Sequence, residues 1–254
     1  MLRNSDFGGG DCDADRALME AVADFARTPD HSTLWAMLHR HLEPFGFTGL
    51  LYGCEAIRNG DNGLNLLMSS LDPGYMADKL GNDLFYSDGF VQAARTESAP
   101  ILWSDTDRIT ELAPEARRSL NIDWDYGITT GVTLPMRFRN GLGGSAIGCH
   151  VPGMTWEEFE ALWRKNGPTV TAIVNAFDVR LREDHAGELF PLTPRERECF
   201  LWLATGLRPA QIAHRLGTQT KTVEKQIDSG RRKMRAKTLP QAIAIALVFG
   251  LISP

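Results

Sequence analysis

The sequence predicts an α+β/α chain: a larger domain in which helices precede and follow a sheet, then a small all-α domain of four helices. Three observations predict it. The dipeptide Asn140-Gly141 lies between two runs of alternating apolar residues, the pattern of a β-hairpin. Apolar residues recur at helical spacing on both sides of that hairpin. Beyond residue 191 the chain breaks into short helical stretches punctuated by Gly and Pro, and its charge changes sign.

The elements follow in order. Residues 1–13 are rich in Gly and Asp, lack apolar periodicity and predict a disordered N-terminus. Ala17, Leu18, Ala21, Val22 and Phe25 place a helix beginning near Asp13 or Asp15, and Leu34, Met37, Leu38 and Leu42 place a second from Thr33 to Leu42. The segment 47–53 (FTGLLYG) reads as a buried strand. Residues 74–95 return to helical character through Tyr75, Met76, Leu80, Leu84 and Phe85. In the hairpin, Val132, Leu134, Met136 and Phe138 alternate with Thr133, Arg137 and Arg139, and 142–151 is the returning strand. Phe159, Leu162, Val170, Ile173, Val174, Phe177 and Leu181 then mark one long amphipathic helix over 155–182. A polar run ending in Pro191 predicts a linker over 183–191, between a domain at 14–182 and another at 192–254.

Composition excludes several classes. No run of apolar residues reaches the roughly 18 needed for a membrane helix. The N-terminus has no apolar core of a secretory signal. Cys12, Cys54, Cys149 and Cys199 are scattered, which predicts reduced thiols in a cytoplasmic protein and no zinc site. Gly141, Gly143 and Gly144 lead into a strand instead of a helix, so they predict a turn, not a phosphate cradle. Neither GxSxG nor HExxH occurs, and no enzyme is predicted.

The net charge of −5 conceals a division. Residues 192–254 hold eleven Lys/Arg against four Asp/Glu, a balance of +7, and the remainder stands at −12. A basic domain attached to an acidic one is expected where only one end meets phosphates. Within it, Thr193, Pro194 and Glu196 form the start signal of a first helix, which stops at Gly206. Pro209 opens a second bearing Ile212, Ala213 and Leu216, and Gly217 ends it. After Thr218-Gln219-Thr220 a third helix carries Val223, Ile227, Gly230 and Met234 as one narrow buried stripe, leaving Lys221, Lys225, Arg231, Arg232, Lys233 and Arg235 outward. A fourth runs from Leu239 to Phe249 and closes the core or a dimer interface. A rigid helix clamped on one side and basic on the other is what reading a DNA groove requires. The candidate DNA contacts are Thr220, Lys221, Thr222, Lys225, Gln226, Arg231 and Arg232.

Residues 192–234 resemble the helix-turn-helix domain of LuxR-family regulators, through Leu192, Thr193, Glu196, Arg197, Glu198, Gly206, Ile212, Ala213, Leu216, Thr222 and Val223; Ala242, Ala246, Gly250, Leu251 and Ile252 extend the match. Against that pattern, Phe200 stands where leucine is usual, Thr218 where isoleucine is common, and Gln226 and Gly230 where histidine and alanine are common. Residues 71–149 are similar to the autoinducer-binding domain of quorum-sensing LuxR regulators, through Asp88 in YSDGFV, Trp103 in APILWSD, and Gly127, Gly131 and Pro135 in DYGITTGVTLPM. The resemblance implies an α/β/α sandwich sensor holding a small amphiphilic signal, an N-acyl-homoserine lactone. It implies no cofactor, a homodimer, and a palindromic double-stranded DNA operator. Asp88 would accept the amide N–H and Trp103 would wall the lactone ring. Tyr75 falls where the family has a tryptophan, Lys79 where it usually has an aromatic, and Asp123 where it has a small residue.

A charge inside an apolar pocket is costly unless paired. Lys79 and Asp123 therefore either point out or pair with each other, or else the pocket takes something other than a long acyl lactone. Asp88 as a plain helix cap and Trp103 as plain core are the structural alternatives. The functional alternatives are a sensor that needs no ligand, or one gated by a partner protein.

Overall fold

The computed structural model describes residues 12–55, 64–81, 84–105, 112–138 and 143–253. The Asn140-Gly141 turn and residues 1–11 lie outside the described residues. A five-stranded antiparallel sheet has the order β2-β1-β5-β4-β3, from β1 (Gly49–Glu55), β2 (Leu66–Ser69), β3 (Ile101–Leu102), β4 (Gly131–Arg137) and β5 (Gly144–His150). β3 pairs with β4 in the register Ile101 to Thr133 and Leu102 to Val132. The chain divides into two compact units, one of residues 1–51, 69–134 and 147–180, the other of 52–68, 135–146 and 181–254.

In the first unit, α1 (Cys12–Ala26) and α2 (His31–Leu42) pack through Ala21, Phe25, Leu34, Leu38 and Leu42, all buried. Asp30 caps α2 by accepting the Thr33 N–H at 2.7 Å, so the helix starts at His31, two residues before the predicted start at Thr33. The region read as helical over 74–95 comprises α3 (Pro73–Gly81), α4 (Leu84–Ser87) and α5 (Gly89–Thr96), and α6 (Pro114–Asp125) packs on α3, α4 and α5. The strand predicted from Phe47 begins instead at Gly49. Along β4, Gly131 to Leu134 are buried without alternation, because the Trp103 indole covers the face that bears Gly131 and Thr133 while Val132 and Leu134 are buried on the other. The final helix, α7 (Trp156–Asp184), stays continuous through Pro168. Proline there removes one backbone bond, and the full burial of Val170, Ile173, Val174, Phe177 and Leu181 offsets that loss.

The second unit contains α8 (Ala186–Leu189), α9 (Pro194–Ala204), α10 (Pro209–Arg215), α11 (Thr220–Lys233) and α12 (Leu239–Val248). Most of the span read as linker is therefore helical, and Phe190 within it is buried against Phe249 with ring centroids 4.8 Å apart. α9 opens with a complete capping box: Glu196 donates its N–H to Thr193 Oγ1 at 3.2 Å, and Thr193 donates its own N–H to Glu196 Oε2 at 2.7 Å. Gly206 and Gly217 adopt positive φ of 91° and 62° where α9 and α10 stop, as left-handed terminators must. α11 ends through Arg235, a non-glycine residue at φ 52°.

Two departures from the family pattern prove to be one feature. A Cβ at Gly230 on α11 would lie 2.5 Å from the Phe200 ring on α9. The larger ring and the missing methyl compensate each other, and α9 and α11 approach through that gap. Gly230→Ala is therefore expected to destabilise the chain by about 1–3 kcal/mol from overpacking, although helix propensity alone favours alanine by about 0.5–1 kcal/mol. Adding Phe200→Leu should recover most of that loss in a double-mutant cycle followed by thermal melting. Additive effects of the two changes would refute the compensation.

Candidate functional site

α3 and α6 each present a polar pair at helical i, i+4 spacing: Tyr75 and Lys79 on the first, Ser119 and Asp123 on the second. Asp88, immediately before α5, completes the group, and all five side chains are buried. The Lys79 ammonium lies 2.8 Å from Asp88 Oδ2, 2.6 Å from Ser119 Oγ and 2.7 Å from Asp123 Oδ1. Ser119 donates to Asp88 Oδ2 at 3.0 Å, and the Tyr75 hydroxyl donates to Asp123 Oδ1 at 2.8 Å. Asp88 Oδ1 accepts the N–H groups of Phe90 and Val91 at 2.8 and 3.1 Å, which makes Asp88 the N-cap of α5. Of the two readings of Lys79 and Asp123, the structure shows the paired one. Of the alternatives for Asp88, it shows a cap and an ion-pair partner together.

The electrostatics follow from burial. Asp123 is pushed up to about 7, first by desolvation and then by the neighbouring Asp88 charge, with Lys79 and Tyr75 opposing. Tyr75 is raised because burial and the Asp123 carboxylate both disfavour a phenolate. One ammonium thus faces two carboxylates, and a proton on Asp123 balances the excess below neutral pH.

Trp103 makes no hydrogen bond to that network among the described residues and lies against the sheet. Its indole N–H donates to Thr133 Oγ1 at 2.9 Å, and its ring stacks on His150 at 6.3 Å between centroids. Burial lowers the pKa of His150, whose Nδ1 meets the Thr130 carbonyl at 2.9 Å and so carries the proton. Gly131 is required here: a Cβ would lie 2.2 Å from the Cys149 carbonyl oxygen and 2.8 Å from the indole. The structure therefore gathers Tyr75, Lys79, Asp88 and Asp123 into one network, and packs Trp103 on Gly131 and, with ring centroids 5.9 Å apart, beside Phe90, whose N–H donates to Asp88. Sequence reasoning missed Ser119, Thr133 and His150. Ser119 was findable, since it lies one helical turn before Asp123 on a stretch of otherwise helical character.

In the second unit, Val223, Ile227, Gly230 and Met234 form the buried stripe of α11. Thr220, Lys221, Thr222 and Lys225 are exposed across its first two turns, and Gln226 is half-buried. Arg231 and Arg232 lie further along and are engaged within the unit. Arg231 donates to Asp228 Oδ1 at 2.7 Å and to the carbonyls of Ala236 and Lys237 at 3.0 and 3.4 Å, and Arg232 pairs with Asp228. Lys233, expected to point outward, turns inward to Glu196 Oε2 at 2.8 Å. Burial works to raise the Glu196 pKa, but hydrogen bonds from Lys233, Ser229 and the Thr193 N–H outweigh it and lower the value. That carboxylate thus serves the capping box of α9 and fixes the far end of α11.

Stability should report the Asp123 proton. The folded chain keeps it up to about pH 7, whereas the unfolded chain releases it near the ordinary value of 3.8, so this contribution is lost as pH rises through that window. The melting temperature of the wild type relative to Asp123→Asn is expected to fall as pH rises across it. A difference independent of pH would show that Asp123 does not hold the proton.

Comparison with known proteins agrees with both halves. Residues 30–181 match the model of the autoinducer binding domain, and residues 190–246 match that of bacterial regulatory proteins of the luxR family. The transcriptional activator protein AhyR of Aeromonas hydrophila is 23% identical over 242 residues, covering 93% of this chain and 92% of that protein. The transcriptional activator protein BjaR1 of Bradyrhizobium diazoefficiens is 27% identical over 170 residues, covering 66% of this chain and 67% of its own length. Among solved structures, SdiA in complex with octanoyl-rac-glycerol aligns over 97% of this chain and 99% of that one, with a TM-score of 0.59 and 15% identity. The N-acylhomoserine lactone dependent factor CepR2 of Burkholderia cenocepacia covers 67% of this chain and 99% of its own, with a TM-score of 0.53 and 11% identity. The chain belongs to the LuxR family of transcription regulators, a class of regulators and not of enzymes, with an autoinducer-binding domain ahead of its helix-turn-helix.

Proposed function

We propose that this chain regulates transcription in the cytoplasm by binding a palindromic operator as a homodimer, with its autoinducer-binding domain receiving a small amphiphilic molecule. The observation that carries the DNA half is the first two turns of α11. Thr220, Lys221, Thr222 and Lys225 are exposed there, while Val223 and Ile227 anchor the opposite side in the core. Gln226 joins them as a candidate base contact. Arg231 and Arg232, two to three turns further on and paired with Asp228, are assigned to support of the helix or to phosphates beyond it. Leu247, exposed on α12, supports a dimer contact through that helix.

For the signal, the occupancy of Asp88 favours one kind of head group over another. An ionised carboxylate offers about four acceptor sites. Here Lys79, Ser119, Phe90 and Val91 occupy them. An amide N–H can reach Asp88 only by displacing one of these. The favoured signal therefore has an apolar tail and a head that does not donate to Asp88. The octanoyl-rac-glycerol bound to SdiA has an acyl chain and no amide N–H, and the hydroxyls of such a head are free to turn to acceptors other than Asp88. An N-acyl-homoserine lactone that displaces Lys79 is the second reading, supported by Asp88 and Trp103 in register and by the lactone dependence of CepR2.

Lys221→Ala and Lys225→Ala should each weaken operator binding and lower the slope of log K against log salt by about one. Unchanged affinity and slope would place the reading helix elsewhere. Thermal melting against monoacylglycerols and acyl-homoserine lactones of several chain lengths separates the two signals. Stabilisation by the glycerol esters alone supports the first, and stabilisation by the lactones alone supports the second.

A further inference from the structure

The network around Lys79 closes on itself. An ammonium has three protons, and three buried oxygens stand within 2.6–2.8 Å of this one, on Asp88, Ser119 and Asp123. Ser119 accepts from Lys79 and donates its own O–H to Asp88, and Tyr75 donates its O–H to Asp123. Lys79 is 1% exposed, so its donors are satisfied from inside the chain and not by solvent. The five residues come from α3, the cap of α5, and α6, and the contacts fasten those helices together.

We propose that Lys79 is a tethered internal head group, which fills from within the chain the acceptor site at Asp88 and Asp123 that a diffusible ligand's donor would otherwise fill. The autoinducer-binding domain then folds and closes with no signal bound. This rests on the reading of that domain as a small-molecule sensor and assigns its regulation. Without the ammonium, two carboxylates would be buried side by side, which protein interiors tolerate only when a counter-charge or a proton is supplied. A ligand in which a donor must reach Asp88 competes with a group held there by its own chain, whose effective concentration is very high. A signal confined to the apolar side meets no such competition. The internal ammonium therefore makes folding independent of the signal and sets which chemical classes can act as one.

The test uses the full chain, produced and purified with no signal added. Lys79→Ala removes the atoms of one n-propylammonium, so n-propylammonium chloride is the probe, with 1-propanol and tetramethylammonium chloride as controls. The wild type is expected to be soluble, to melt cooperatively, and to ignore all three additives. The variant is expected to melt about 10 °C lower, as the loss of one member of a buried ion cluster predicts. It should regain at least half of that shift with n-propylammonium and nothing with the controls. A variant too unstable to purify leaves a second measurement on the wild type: nitrogen-15 NMR of ligand-free protein should show one lysine ammonium whose protons exchange slowly with water. A wild type that requires an added signal to fold, a variant that melts like the wild type, a loss that n-propylammonium does not restore, or the absence of a protected ammonium each overturns the proposal. Operator binding is measured on the same ligand-free sample. A stable wild type that ignores DNA would overturn the regulator reading and leave the assignment of Lys79 standing.

Discussion

Three helices of the autoinducer-binding domain meet over a lysine and two aspartates, and the arrangement of that region follows from the need to satisfy those charges. Lys79 cannot be buried at 1% exposure unless acceptors surround it, and Asp88 and Asp123 cannot both be ionised beside each other without its ammonium. The helix spacings make this possible. Residues 75 and 79 share a face of α3, residues 119 and 123 share a face of α6, and Asp88 is held at the α5 cap by two backbone N–H groups. Replacing any one member would leave its partners buried with a vacant site, so the five residues depend on one another.

The DNA-binding half rests on a smaller version of the same principle. Glu196 is buried, yet it accepts from the backbone of Thr193 and from Lys233, so it ties the start of one helix to the end of another. Phe200 and Gly230 bring those helices into contact. With its apolar stripe and its far end both fixed, α11 is left free only along its first turns, where Lys221 and Lys225 project. The DNA-reading role proposed for α11 needs that division, because a base contact loses its discrimination if the helix can rock.

Much of this was legible in the chain itself. The helix starts at Thr193 and Pro209, the stops at Gly206 and Gly217, and the stripe on α11 were readable because capping and left-handed termination are local chemistry. The helical periodicity of 155–182 was equally clear, and α7 spans Trp156 to Asp184. Strand faces were harder. Alternation along β4 suggested one buried face, but the Trp103 indole covers the Gly131 and Thr133 face as well, and a contact from 30 residues away is not written locally. The span from 183 to 191 read as linker because it is polar, although Phe190 finds a buried partner 59 residues further on.

By itself, then, the sequence determined the charge division, the helix boundaries of the DNA-binding domain and the identity of Asp88 and Trp103 as residues of interest. It also set the puzzle of a lysine and an aspartate where apolar or small side chains were expected. Tertiary structure alone decided that Lys79 and Asp123 answer each other, that Ser119 and Tyr75 complete the set, and that Lys233 turns inward. The reason is distance along the chain. Lys79 and Asp123 are 44 residues apart, and whether two such charges meet depends on how α3 and α6 pack, which neither residue's local sequence reveals.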